Sequence, residues 1–215
     1  MMFYNTNLLS KENAPKDWSD LTKEEYKNLI VTRDSLSSSM RSTVCALIDH
    51  NIKTKNEDAA WQYLKDLDAN IKNYYNSGSQ MYTAIGKGEA AVSMAVLSDI
   101  IDNKENNGMP FEVINPESGS VVITDCVAAL KNAPHPNAAA KFVDFVGSAK
   151  VQAMIANDFN RIPTLQSALK DSPKWMATDY EAMDVDWSTI GKNQSKWIEK
   201  WETDIINNNK VVESK

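Results

Sequence analysis

Ile71-Lys72-Asn73-Tyr74-Tyr75, then Asn76-Ser77-Gly78-Ser79, then Gln80 to Ile85, the break Gly86-Lys87-Gly88-Glu89 and the apolar run Ala90 to Ala95 form the stretch that decides the fold. The first five residues suit a strand, and small polar residues then open a helix with three- and four-residue apolar spacing. Glycines close that helix and a buried strand follows, so the segment reads as one β-α-β unit. A helix that begins at Ser77, with Gly78 beside it, leaves backbone N–H groups that an anion can approach closely. Ser77, Gly78 and Ser79 are therefore expected to contact an anionic ligand.

The same grammar occurs upstream. Leu29 to Thr32 is a short β-branched run, and Asp34-Ser35-Leu36-Ser37-Ser38-Ser39 precedes Met40, Val44, Leu47 and Ile48, spaced as one face of a helix. Ser37, Ser38 and Ser39 form a second serine-rich helix start after a strand, the place where open α/β sheets present ligands. The ordinary alternative for both starts is a helix N-cap, which Ser favours without any ligand. Arg41 falls in the first turn, where a cation opposes the helix dipole unless an anion compensates it. A ligand-facing role and a solvated surface position both suit it.

Asn56 to Leu67 continues the alternation as a helix, Val96 to Ile101 reads as helical, and Phe111 to Ile114 as a strand after the Gly108-Met109-Pro110 turn. Val121 to Leu130 is the longest β-like segment. After Pro136 the patterns over Asn137 to Val146, Ala149 to Phe159, Leu165 to Leu169 and Trp187 to Ile206 are helical, and no convincing strand remains. The Asn207-Asn208-Asn209 tail is expected to fray. Trp187, Trp197 and Trp201 read as anchors that pack the last helix onto a core. The fold class is α/β, a mixed and mainly parallel sheet between helices, followed by a helical part.

With 215 residues, 42% hydrophobic and 24% charged, the chain can build a real core in one or two domains. A net charge of −6 with no Lys/Arg cluster longer than two residues argues against nucleic acid as a partner. No apolar run approaches the roughly 18 residues that span a bilayer, and the first residues resemble no signal peptide. Cys45 and Cys126 lack metal or redox spacing and are expected as buried free thiols. His50, near a helix end, and His135, between two prolines, are isolated. With no nucleophile elbow, phosphate loop or His-Glu-x-x-His motif, an enzyme is not expected, nor a cofactor or a resident metal.

Linked segments then resemble one family. Tyr4-Asn5-Thr6 with Leu8-Leu9 is similar to its Tyr-Asn hinge, and Pro15-Lys16-Asp17-Trp18-Ser19-Asp20-Leu21 to its Pro-x-x-Trp-x-Asp-Leu turn. Asp34 to Ser39 resembles its serine-containing helix start, and Gly88-Glu89-Ala90-Ala91-Val92 its Gly-Glu strand entry. Ala138 to Ser148 with Gln152 resembles its Ala-x-x-Phe-x-Asp-Phe segment ending Ser-x-x-x-Gln, and Pro163 takes the place of the proline that follows. The family is that of the extracellular solute-binding proteins of ABC importers, with the type II periplasmic-binding-protein fold, in the group of ferric-ion, phosphonate and sugar-phosphate binders.

The resemblance implies a first hinge segment at 1–8, the ligand-binding lobe 2 at 9–121, a return crossing strand at 122–130 and the helical part of lobe 1 at 131–215. The N-terminal half-lobe has no counterpart. It also implies a small anionic solute such as a phosphonate, an ABC permease as partner, an extracellular or periplasmic location with a lipoprotein as one form, and Asp99 as a receiver for a ligand amine. Apolar surface left by the absent half-lobe points to a homodimer. Ferric ion is the rival cargo because of Tyr74-Tyr75, yet adjacent residues of a strand point to opposite faces, which reads both as packing residues. An alternative of another class is a lobe remnant that binds no ligand and serves as a structural or protein-interaction domain.

Overall fold

A computed structural model describes residues 1–178 and 180–213 as two compact units, one of residues 1–121 with 180–213 and one of residues 122–178. Asp179 and the last two residues of the range expected at 131–215 lie outside the described residues.

The first unit is built on six strands: β1 (Met2–Asn5), β2 (Ile30–Arg33), β3 (Ile71–Tyr75), β4 (Val92–Met94), β5 (Phe111–Ile114) and β6 (Val211–Val212), in the order β5-β1-β4-β2-β3-β6. β2 runs parallel to β3 and β4, and β3 parallel to β6, whereas β1 is antiparallel to both of its neighbours. β1 occupies the segment expected as a hinge. Its four residues are all buried because both of its edges are paired, so it shows no alternation for a sequence reading to detect. β6 corrects the expected frayed tail: Asn207 caps a short 3₁₀ turn over Asn208–Lys210, and the chain then pairs Val211 with Tyr74.

Helices cover both faces. α1 (Ser38–Thr54), α2 (Glu57–Asn70) and the last helix bury Val44, Leu47, Leu64, Leu67 and Trp201 in one cluster, which Met2, Ile30 and Tyr74 complete from the sheet. On the other face, α3 (Gly78–Gly86) and α4 (Leu97–Glu105) bury Met81, Ile85 and Ile100 against Phe3, Val31 and Phe111. Adjacent strand residues such as Met2 and Phe3, or Ile30 and Val31, therefore serve different cores. Tyr74 belongs to the first cluster and Tyr75 to the second.

The Pro15–Leu21 segment holds a 3₁₀ turn over Trp18–Thr22. Asp20 Oδ2 accepts from the backbone of Lys16 (2.7 Å) and Asp17 (3.1 Å), while the buried Trp18 indole donates to Gly119 O (2.9 Å). Gly119 lies beside an isolated parallel bridge between Ser120 and Ala182, where Ser120 N donates to Glu181 O and Met183 N to Ser120 O.

The second unit contains α5 (Pro136–Gly147), α6 (Ala149–Phe159) and α7 (Gln166–Leu169). The strand expected over Val122–Leu130 is absent: residues 122–130 have no regular structure and are exposed, because no neighbouring strand completes a ladder with them. α5 buries no residue, and ten of the thirteen large apolar side chains exposed among the described residues fall between Val122 and Leu165. Cys126 is exposed, against the expectation of a buried thiol, because it sits in that open segment; Cys45 is buried on α1.

The helical part expected as one piece over 131–215 divides. α8 (Trp187–Asp204) packs with residues 1–121, because Trp197, Ile198 and Trp201 bury in the core shared with α1. Trp187 is 44% exposed and lies outside the core cluster that takes in Trp197 and Trp201. Among the described residues no helix is long and apolar enough to cross a membrane.

Candidate functional site

Because β2, β3 and β4 are parallel, their carboxy ends share one edge of the sheet, from which the loops to α1, α3 and α4 depart. α1 leaves toward one face and α3 toward the other, which opens a crevice beyond the ends of β2 and β3.

The two helix starts are chemically different. At α1, Ser37 is a satisfied N-cap: its Oγ accepts from Met40 N (3.3 Å) and contacts Ser39 Oγ (3.1 Å), and only 7% of Ser37 is exposed. Ser38 is exposed and Ser39 half-buried. At α3, Ser77 holds the N-cap position without a side-chain cap bond, and its Oγ instead contacts Ser79 Oγ at 3.0 Å. The first N–H groups of α3 are thus not covered by a capping side chain.

Arg33 completes the α3 start. It ends β2 opposite Tyr75, and its half-buried guanidinium donates from Nε to Tyr75 O (3.1 Å) and from Nη2 to Asn76 O (2.8 Å). A Cβ added to Gly78 would stand 3.0 Å from Arg33 Nη1, so glycine lets the cation lie against the helix start. The helix N-terminus and a guanidinium both present positive potential at this point, and an anion placed there satisfies both.

Tyr82, one turn into α3, joins the group. Burial raises its phenol pKa first, and Asp99 adds to the rise by charge and by a hydrogen bond, while Arg33 opposes it. Asp99, exposed in the first turn of α4, also accepts from Ser98 Oγ at 3.2 Å. The sequence-selected residues Ser77, Gly78, Ser79 and Asp99 therefore fall within one constellation with Arg33 and Tyr82. Ser37, Ser38 and Ser39 open the neighbouring helix at the same edge. Arg41, half-buried, has its Nε buried with no hydrogen-bond partner, and its charge reaches Cys45, whose thiol burial lifts to about 11. Gln80 lines a shallow groove of about 260 Å³ with Tyr75, Ser79 and Glu89, and its Oε1 is also buried with no partner.

Arg33, Tyr82 and Gln80 are absent from the sequence-based selection. The signal for Arg33 was its place between the β-branched run of β2 and a serine-rich helix start. Its reach to the next helix is tertiary, as is the approach of Asp99 to Tyr82.

The tyrosine pair does not converge. Tyr74 is buried, its hydroxyl donates to Asp68 Oδ1 (2.8 Å), and burial followed by the Asp68 charge holds its phenol well above the usual range. Among the described residues no group of three or more His, Cys, Asp or Glu is placed to hold a metal ion.

Comparison with known proteins adds independent findings. A probable ABC transporter periplasmic-binding protein, y4fP of Sinorhizobium fredii, is 26% identical over 210 residues, which is 95% of this chain and 58% of that protein. Among solved structures, AfuA of Actinobacillus pleuropneumoniae with exogenous fructose-6-phosphate bound aligns with a TM-score of 0.75 at 28% identity, over 95% of this chain and 65% of its own. The apo ferric ion-binding protein A of Pasteurella haemolytica shares the fold, with a TM-score of 0.75 at 18% identity over 94% of this chain and 65% of its own. This chain thus spans somewhat under two thirds of the relatives that it matches. Residues 1–193 match the family described as bacterial extracellular solute-binding protein, and the chain belongs to that family, one of binders and not of enzymes.

Proposed function

We propose that the chain supplies the ligand-binding lobe of the solute-binding component of an ABC importer, and that its cargo is a small phosphorylated or phosphonate-type anion. The observation that carries this reading is the Arg33 guanidinium laid against the side-chain-uncapped start of α3 at Gly78. Ser77 and Ser79 supply hydroxyls, and the α1 start with Arg41 flanks the same sheet edge. The fructose-6-phosphate bound in AfuA and the transporter name of y4fP support the reading from outside the chain. The setting is extracellular or periplasmic, with a permease as partner.

Ferric ion is the weaker cargo, since Tyr74 is committed to Asp68 on the opposite face from Tyr75. A second reading, an interaction module without ligand, draws on the exposed apolar residues of the second unit.

Calorimetry and thermal shift with fructose 6-phosphate, methylphosphonate, inorganic phosphate and ferric citrate separate these readings. The phosphorus anions are expected to stabilise the protein. Arg33→Met is expected to weaken them about 10- to 100-fold, the size of a lost charge-assisted hydrogen bond with its charge. Stabilisation by iron alone would support the ferric reading, and silence toward every probe would support the interaction module.

A further inference from the structure

The turn from α4 to β5 carries Asn107-Gly108, the single Asn-Gly pair in the sequence, so every other asparagine is followed by a residue with a Cβ. Asn106, Asn107 and Gly108 are all exposed. The flanking amides are tied down, since Asn106 N donates to Asp102 O (2.8 Å) and Met109 N to Asn103 O (3.0 Å). Between them, among the described residues, the Gly108 N–H donates to no protein group. The Asn107 side chain makes one hydrogen bond, from Nδ2 to Asn103 Oδ1 at 3.2 Å, on the exposed surface. Beyond the two chain neighbours, no atom lies within 4 Å of the place that a Gly108 Cβ would take.

This arrangement sets a nucleophile beside an electrophile one residue away. A backbone N–H that is neither bonded nor buried is open to loss of its proton to solvent hydroxide, and glycine leaves the approach to the preceding side-chain amide uncrowded.

We propose that Asn107 is a site of spontaneous self-modification, in which the chain supplies both nucleophile and leaving group and water is the one co-reactant. The deprotonated Gly108 N attacks Asn107 Cγ, a C–N bond forms, and the Cγ–Nδ2 bond breaks as that nitrogen takes up a proton and leaves as ammonia. The five-membered imide so formed adds water at either carbonyl. One opening gives aspartate at position 107, and the other gives isoaspartate, whose main chain runs through the side-chain carbon. Both products add a negative charge near the carboxy end of α4, where the helix dipole disfavours it. Isoaspartate also lengthens the main chain by a methylene, in a turn held by the Met109 to Asn103 bond and by Thr6 N donating to Pro110 O (2.8 Å). The site uses neither the Arg33 guanidinium nor Ser77–Ser79, so it stands or falls apart from the anion site.

Prolonged warm incubation of the folded protein at mildly alkaline pH, followed by proteolysis and mass spectrometry, tests this. A gain of about 1 Da at Asn107 is expected, as an amide becomes an acid, in two chromatographically separate products. The rate is expected to rise with pH, because the attacking nitrogen must first lose its proton. Asn107 is expected to react at least about tenfold faster than any other asparagine, and Gly108→Ala to slow it by a similar factor, since an added Cβ crowds the attacking nitrogen. Asn107→Gln keeps the amide but has to close a larger ring, so it is expected to show no gain at position 107 and to keep the wild-type circular dichroism. Hydroxylamine, which traps the imide, is expected to cut the wild type into fragments 1–107 and 108–215 and to leave the Asn107→Gln chain whole. Reaction only after unfolding in urea, an equal rate in Gly108→Ala, or an earlier gain at another asparagine would overturn the proposal.

Discussion

Gly119→Ala is expected to destabilise the protein by about 4 kcal/mol, combining backbone strain at a glycine-only conformation with overpacking. Gly119 has φ of +90°, and an added Cβ would stand 2.5 Å from Met183 N and 2.7 Å from Ala182 C. Both are backbone atoms, so no side chain can swing away to make room. The chain must move, which breaks the bonds linking Ser120 to Glu181 and Met183, and it displaces the carbonyl that the Trp18 indole holds. Gly191→Ala is the matched control. Its added Cβ meets nothing within 4 Å in the exposed interior of α8, and helix propensity is expected to make that variant about 1 kcal/mol more stable. Urea denaturation followed by tryptophan fluorescence measures both, and a Gly119→Ala variant within about 1 kcal/mol of wild type would contradict the account.

Trp201→Ala is expected to cost a similar amount, about 3–5 kcal/mol, the range for truncating a large buried aromatic. Trp201 is 2% exposed and packs edge-on to Tyr74, with ring centroids 6.3 Å apart. That contact joins α8 to β3, so the deleted ring leaves a cavity beneath a helix that reaches its place only after the whole second unit has intervened in sequence. Trp187→Ala removes a similar ring from the same helix at a position 44% exposed, and its cost is expected to stay below about 1 kcal/mol. Equal losses from the two variants would show that α8 does not dock through Trp201.

The same contrast shows what the sequence could and could not disclose. Strands β2, β3 and β5 and helices α1 to α3 were legible because each carries its own local period and its own punctuation by serine, glycine or proline. β1 was not legible. Met2–Asn5 is a short apolar run without alternation, and its central place depends on pairing with β4 and β5, which lie far along the chain. The error over Val122–Leu130 runs the other way. β-branched composition suits a strand, but a strand also needs a neighbour, and composition says nothing about whether one is present. The division of the C-terminal helices was hidden for a related reason: α8 and α5 both have apolar faces, and only tertiary packing decides which one is covered.

At the candidate site, the serine-rich helix starts were visible as residue types but not as chemical states. Ser37 and Ser77 look alike in sequence, yet only Ser37 caps its own helix. Arg33 distinguishes the α3 start, and its role comes from the register that sets Arg33 opposite Tyr75. Asp34 belongs in sequence to the serine-containing helix start, and its burial is a tertiary property that residue type does not disclose.

Arg33 is proposed to hold an anionic solute at the α3 start. Two-dimensional ¹H–¹⁵N NMR during titration with fructose 6-phosphate tests it most directly, because amide shifts report weak binding residue by residue. The account predicts saturable shifts concentrated at the amides of Gly78, Ser79 and Gln80 and at the Arg33 Nε–H, with smaller ones at Ser38 and Ser39, all lost in Arg33→Met. Unmoved signals at residues 77–80 while fructose 6-phosphate binds elsewhere, or an unchanged pattern in Arg33→Met, would contradict it.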